Sequence, residues 1–473
     1  MRRPAPLLVA VALAGCVAGP PPEIATTAPV LPDAYAWAPY SAARGELASL
    51  LPQGDPAYRT LSAQALANAP SLAEALARVE AARAGASRAG AERLPNVGAN
   101  SAVTGQRTSA NQFGTSLPPG VAFDTERVSY SANLTASWDA DLFGRLRAQE
   151  RAALARLDAA GSEAAAVRLA LLAEIAGAVI DWRTLEAREA ALSEDLVAAE
   201  SLATLSDIRE RAGIAPGFDR VRAETAAEAS RSRIAALASE KARVVGRLVT
   251  LTGLGAATVR EALAAQPGDT SRPGAPASQP SALLANRPDV IAAQARLAAS
   301  DAELAATAAR RFPQLSLSAA LGLLAFDLGD LFTGDAVVGS AGAGLLAPLL
   351  DFGRIGAEIE GAAASKRAAF ESYRGAVFEA LGEAEAAYGL VAAADEEAAA
   401  SAREAASADR AAQLAEFRFR AGLENFLAVL EARRSADASG ERAAAAAGRA
   451  QRARVLLWQA LGGDYPASRS TNQ

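Results

Sequence analysis

The side chains able to do chemistry are few and fall in two places. The 473-residue chain has no histidine, one cysteine and one methionine. Without histidine, the usual general base near neutral pH and the commonest metal ligand are both missing. No Ser-His-Asp set, metal-cluster motif or phosphate-cradling glycine loop is present in the sequence, which removes the commonest routes to catalysis without excluding it. The thiol of Cys16 is the one soft nucleophile, and it closes a short apolar stretch near the N-terminus. The other candidates are carboxylates and arginines gathered around two interruptions of helical sequence. These are DIRERAGIAPGFDRVRAETA at Asp207–Ala226 and EFRFRAGLENFLAVLEARRS at Glu416–Ser435. Each reads as the tip of a helical hairpin, with Gly213 or Gly422 as the left-handed residue that ends the incoming helix.

Arg2 and Arg3 precede the apolar Leu7–Ala14, which is too short for the ~20 residues a membrane-spanning helix needs. A cleaved export signal over 1–15 fits better. Leu13-Ala14-Gly15-Cys16 resembles the bacterial lipobox, which implies a diacylglycerol thioether on Cys16 and acylation of its new amine. An ordinary signal peptide with a chance cysteine is the other reading. Val17 follows, with no Asp, so sorting to the outer membrane is expected. No other cofactor is called for. Residues 16–62, with five prolines between Pro20 and Pro32, read as an extended tether.

The net charge is −6 with charges interspersed, so no nucleic-acid footprint is present. The alanine, leucine, arginine and glutamate content favours long helices. Ala63–Arg93 has a helical pattern ending before Pro95. From Leu146 to Ala212 no proline appears, and Leu171, Ile175, Val179, Trp182 and Leu185 form a helical stripe. A helix of that length spans ~100 Å at 1.5 Å per residue. Phe218–Leu251 is the returning helix, and Gln266–Pro280 is a proline-rich linker.

Between the helices the period changes. Val128, Tyr130, Leu134 and Trp138 alternate with Ser129, Ser131, Asn133, Thr135, Ser137 and Asp139, the period of a strand with one apolar face. Pro95–Arg107 reads as its partner. Membrane strands of ~9–11 residues alternate in this way.

The chain then repeats. LANRPDV at Leu284 matches LANAPSL at Leu66, and Pro70 and Pro95 recur as Pro288 and Pro313, 218 positions on. Phe143-Gly144-Arg145 and Arg211-Ala212-Gly213 recur as Phe352-Gly353-Arg354 and Arg420-Ala421-Gly422, 209 positions on. The domain reading follows: a first repeat at 63–265 with a strand hairpin at 95–139, a linker at 266–282, a second repeat at 283–462 with a hairpin at 312–350, and a tail at 463–473. A duplication of this kind fixes architecture more firmly than any local pattern. Four strands cannot close a barrel, and open sheet edges are not tolerated in lipid. Three copies supply twelve strands.

From Cys16 onward the sequence resembles the outer membrane factor family, the TolC- and OprM-like exit ducts, in its lipoprotein efflux branch. The matching features are the lipobox, the two LANxP repeats, the paired FGR motifs and the paired RAG tips. The resemblance implies a mainly α fold with a membrane β part. Four transmembrane strands per protomer would form a trimeric 12-stranded β-barrel continuous with a long periplasmic α-helical barrel. It implies a homotrimer in the outer membrane, passing small molecules from a periplasmic adaptor and a proton-driven inner-membrane transporter. A protein-secretion duct and a lipid-anchored periplasmic scaffold are the competing readings, and an enzyme is not expected.

The resemblance also implies roles at the tips. Glu431 matches a gate carboxylate, Asp219 a constraining acid on the first tip, and Glu424 a position that is Arg in TolC-like members. Ala428 and Phe419 replace a second gate Asp and a Tyr, so the polar lock of those members is expected to be absent or rewired. A solvated helix face would also account for Glu431, and a turn carboxylate for Asp219. Arg211, Ala212, Gly213, Arg420, Ala421 and Gly422 match the surface where adaptor hairpins dock.

Overall fold

A computed structural model describes residues 29–38, 47–109, 126–268 and 272–463. Cys16, its signal segment and the tail after Gly463 lie outside the described residues. The chain forms two units. One gathers Glu80–Asp158 and Gln294–Glu371, the other Ala28–Val79, Ala159–Ala293 and Ser372–Gln473.

The first unit holds a four-stranded antiparallel sheet, β1 (Asn96–Arg107), β2 (Glu126–Ala140), β3 (Gln314–Ala325) and β4 (Val337–Leu346), in that order. Register aligns the faces. Val97, Ala136, Ala319 and Ala341 lie in one row, and Ala99, Leu134, Leu321 and Gly339 in another. Val97, Val103, Leu134, Leu317, Leu321 and Leu345 thus form an exposed apolar face. Asn133 and Gly322 are paired on the alternate, polar face. A Cβ at Gly322 would lie 2.4 Å from the Ala132 carbonyl oxygen, so the close approach requires glycine. Strand ends are fixed by side chains. Trp138 Nε1 donates to the Arg93 carbonyl at 2.9 Å, and Phe143 stacks on Phe312 at 4.8 Å. The Asp141 carboxylate accepts the Leu146 and Arg147 amides at 3.0 and 2.8 Å, and Asp351 accepts that of Ile355 at 2.8 Å. These acids satisfy the orphan donors that open each long helix.

The helices are α1 (Pro56–Asn68), α2 (Pro70–Ala91), α3 (Arg145–Arg211), α4 (Gly217–Thr252), α5 (Ala256–Leu263), α6 (Pro288–Ala308), α7 (Arg354–Arg420) and α8 (Phe426–Ala460). The two long ones, α3 and α7, each have 67 residues and contribute to both units. In the second unit, Leu185 and Leu192 of α3 pack with Leu237 of α4, and Ala398 of α7 packs with Ala446 and Ala450 of α8. Alanine serves twice here, as the best helix former and as a side chain small enough to bring backbones together. Arginines tie the irregular segments to these helices. Arg454 forks onto Asp395 at 2.8 Å through two nitrogens and donates to the Pro273 carbonyl. Arg183 does the same with Asp55 and the Leu263 and Ala265 carbonyls.

Three details differ from the sequence reading. The helix expected over Ala63–Arg93 begins at Pro56 and breaks at Ala69, where extended backbone precedes Pro70. Proline disfavours helical geometry in the residue before it, so one periodic pattern becomes two helices. The tether expected over 16–62 therefore ends earlier, and Leu47–Leu50 already forms a 3-10 turn. The last strand stops at Leu346 rather than Leu350, ahead of Pro348. The short α5 was not foreseen inside the first repeat.

The duplication reappears in left-handed glycines. Gly253 ends α4 and Gly462 follows α8, at φ 69° and 89°. Each abuts the last residue of a LAN motif. A Cβ on Gly253 would lie 3.2 Å from the Asn68 carbonyl oxygen, and one on Gly462 would lie 2.3 Å from that of Asn286. The left-handed conformation alone costs a non-glycine residue about 1–2 kcal/mol. Gly253→Ala is expected to lower the thermal unfolding midpoint of the solubilised protein, and Gly462→Ala to lower it further because backbone atoms collide. Equal shifts would show that the carbonyl contact adds nothing.

Candidate functional site

The two tips have the same backbone. At the first, the Gly213 amide donates to the Glu210 carbonyl at 2.8 Å and the Ile214 amide to that of Arg209 at 3.0 Å. At the second, Gly422 donates to Phe419 at 3.0 Å and Leu423 to Arg418 at 2.8 Å. This is the Schellman pattern, and both glycines sit at φ 75°. The space around each missing Cβ is open, so conformation alone selects glycine here. The outgoing helices start differently. Pro216 precedes α4 without a side-chain cap, whereas Asn425 Oδ1 accepts the Ala428 amide at 2.8 Å to cap α8.

A shared core joins the tips. Leu202 of α3 and Ala223 of α4 pack with Phe419 of α7 and with Phe426, Val429 and Leu430 of α8. Phe419 meets Phe426 edge to face at 5.8 Å, and the Arg209 guanidinium lies over the Phe419 ring at 4.6 Å. Phe419 is therefore a core residue that holds a cation from the other hairpin on its ring face.

Among the expected site residues, Glu424 is engaged within its own tip. Its carboxylate accepts the Asn425 amide at 3.2 Å and lies 3.4 Å from Arg418 Nε. Asp219 sits half-buried in the first turn of α4, where a negative charge favours the helix start. Glu431 is exposed on α8, and no hydrogen bond or ion pair reaches it among the described residues. Arg211 pairs with Asp207 at 2.9 Å, and Arg420 pairs with Glu416. Ala212, Gly213, Ala421 and Gly422 are exposed, flanked by exposed Ile214 and Leu423 at equivalent positions. Sequence reading missed Glu416, which links Arg420 to Arg433 of α8 at 2.5 Å. Its spacing four residues before Arg420 was the available signal. It also missed Arg209, whose role depends on a ring in another helix.

The family profile described as Outer membrane efflux protein matches residues 61–254 and 279–463, the two repeats. The chain belongs to that family. It is 32% identical to the outer membrane protein OprJ of Pseudomonas aeruginosa, over 99% of this chain and 98% of that protein. It is 30% identical to the pyoverdine export outer membrane protein OpmQ of the same species, over 88% and 87%. The solved outer-membrane channel OprN superposes with a TM-score of 0.83 at 28% identity, covering 93% of this chain and 100% of that one. This chain is thus an outer-membrane efflux protein with the fold of those channels. Among the described residues no helix is long and apolar enough to cross a membrane.

Asn425→Ala should cost α8 about 1 kcal/mol of capping energy. Hydrogen exchange of the amides at 426–430 would then quicken about fivefold, with the first tip unchanged. No change in exchange would mean that packing alone starts this helix.

Proposed function

We propose that three copies of this chain close a twelve-stranded barrel whose bore continues between the long helices as an exit duct. Small molecules reach it from a periplasmic adaptor and a proton-driven inner-membrane transporter. The observation that carries the reading is the sheet itself. Among the described residues its outer strands β1 and β4 each leave one edge unpaired, and lipid offers backbone groups no substitute.

The duplication supplies the missing junction. The β1–β2 pair Val97↔Ala136 maps onto the β3–β4 pair Leu315↔Leu345 when first strands shift by 218 and second strands by 209. The β2–β3 pair Leu134↔Leu321 then maps onto Ala343 of one copy and Val103 of the next. Both lie on the apolar face, so the junction keeps that face outward and the polar face toward the lumen. The double variant Ala343→Cys, Val103→Cys is expected to oxidise to a covalent trimer that neither single variant gives. Pairing Ala343→Cys with Ala102→Cys, whose side chain faces the other way, should give none. A covalent trimer from the second pair instead would sink this register.

At the tips, adaptor hairpins dock on Arg211-Ala212-Gly213 and Arg420-Ala421-Gly422, where Ile214 and Leu423 offer apolar contact. Glu431, without a hydrogen bond or ion pair among the described residues, faces its two copies across the opening, with Asp219 and Glu424 constraining the hairpins. Like charges gathered there favour cations in the constriction. Glu431→Ala should reduce cation preference or raise closed-state conductance in bilayer recordings, and unchanged recordings would remove Glu431 from the gate. Cys16 carries the lipid that tethers the chain to the membrane. Deleting the gene should raise sensitivity to at least one class of small toxic compound, reversed by the intact gene. Unaltered sensitivity together with lost export of a protein would favour a secretion duct.

A further inference from the structure

The seam between the two repeats runs past its strands. β2 and β3 pair as far as Ala140↔Leu315, and the same register carried three residues on sets Phe143 opposite Phe312. Those rings are stacked, with centroids 4.8 Å apart and planes 15° apart. Leu142 and Leu146 from one repeat and Ala309 and Pro313 from the other lie beside them. The contact closes the turn from β2 into α3 against the turn from α6 into β3. Stacked aromatic pairs hold surfaces together beyond the area they bury.

The duplication maps this contact onto the sheet's two outer edges. Shifted by 209, Phe143 becomes Phe352, and shifted back by 218, Phe312 becomes Leu94. The junction register proposed above, carried nine residues on from Ala343 and nine back from Val103, sets the same two residues opposite each other. Within one chain they flank opposite edges of the sheet, Leu94 ahead of β1 and Phe352 after β4. Phe352 is 92% exposed and Leu94 66%. Phe352 is also the only non-glycine residue at positive φ among the described residues, at 54°. A residue with a Cβ seldom takes that backbone, and strain of this kind gathers at functional positions. Phe143, which has its partner in the chain, keeps ordinary backbone.

We propose that Phe352 of one copy closes on Leu94 of the next, so that three such clasps seal the turns between strands and long helices at the chain boundaries. The partner is a second copy of this chain, and the contact rests on the trimer proposed above. Two kinds of seam then alternate around the ring, a stacked Phe–Phe pair inside each chain and a smaller Phe–Leu pair between chains. The chain boundaries are the weaker seams, where the ring parts first. A lipid contact would explain either exposure alone. The shared register explains why the two fall at matching places on opposite edges.

The test uses the full-length protein in mild detergent, with assembly read by native mass and dissociation by subunit exchange on warming. Phe352→Cys combined with Leu94→Cys, treated with a short bismaleimide, should give a covalent trimer that neither single variant gives. Phe352→Ala should speed dissociation about fivefold, with an unchanged circular dichroism spectrum because the ring is exposed in the lone chain. Leu94→Phe, which reproduces the stacked pair of Phe143 and Phe312, should slow it. A covalent trimer through Ala343→Cys and Val103→Cys with no crosslink between positions 352 and 94 would overturn the clasp and leave the trimer standing. Wild-type dissociation of Phe352→Ala together with weaker binding to phosphatidylethanolamine vesicles would also overturn it, assigning the ring to lipid. A protein that stays monomeric would overturn both the clasp and the trimer.

Discussion

A strand in lipid has no water to replace a missing backbone partner, and that constraint governs the sheet. Each unmet amide or carbonyl costs several kcal/mol in hydrocarbon. The chain builds two hairpins, joins them through β2 and β3, and leaves β1 and β4 with open edges. No rearrangement of four strands within one chain removes those edges, because a sheet this narrow cannot curl onto itself. The trimer proposed above meets that constraint by assembly. The aligned apolar rows from Val97 to Ala341 serve it, since a register slip of one residue would turn a whole strand's apolar side chains inward.

The same economy appears in the helices. One helical hairpin was copied, and the copying is visible wherever the backbone has little choice. Gly213 and Gly422 share the same φ, Gly253 and Gly462 abut equivalent carbonyls, and α3 and α7 have equal length. Side chains diverged where the backbone did not depend on them. The first tip starts its outgoing helix with proline and no cap, and the second with a capping asparagine. Arg454 and Arg183 each occur in one repeat only, where Arg454 holds the linker at Pro273 and Arg183 holds Asp55 and the Leu263 and Ala265 carbonyls.

The legible part of this architecture was the part written in period and repetition. The strands, the two long helices and both tips could be read from alternation, absence of proline and offsets of 218 and 209. The break at Ala69 was less visible because the apolar pattern runs through it, and only the proline at position 70 marks it. At the site, the glycines and the exposed Glu431 could be placed in advance. The contacts between helices could not, because Arg209 on Phe419 and Glu416 on Arg433 each join two different helices. Periodicity places a residue on a helix face but does not say which other helix lies against it.

Those contacts bear on how the second tip is held. The second tip has an apolar centre, closed by an edge-to-face ring pair and by a guanidinium on the ring face. Such contacts are broad and tolerate sliding, unlike a hydroxyl–carboxylate bond that is either made or broken. Direction must then come from groups around that centre. Glu416 supplies some of it by gripping α8 through Arg433, and Glu424 supplies more by bracing Arg418 inside its own turn. Three buried polar atoms, Ser206 Oγ, Arg209 Nε and Arg433 Nε, have no partner in this arrangement. An unmet buried donor costs about 1–3 kcal/mol. Two of the three belong to Arg209 and Arg433, the arginines that also hold the Phe419 ring and Glu416.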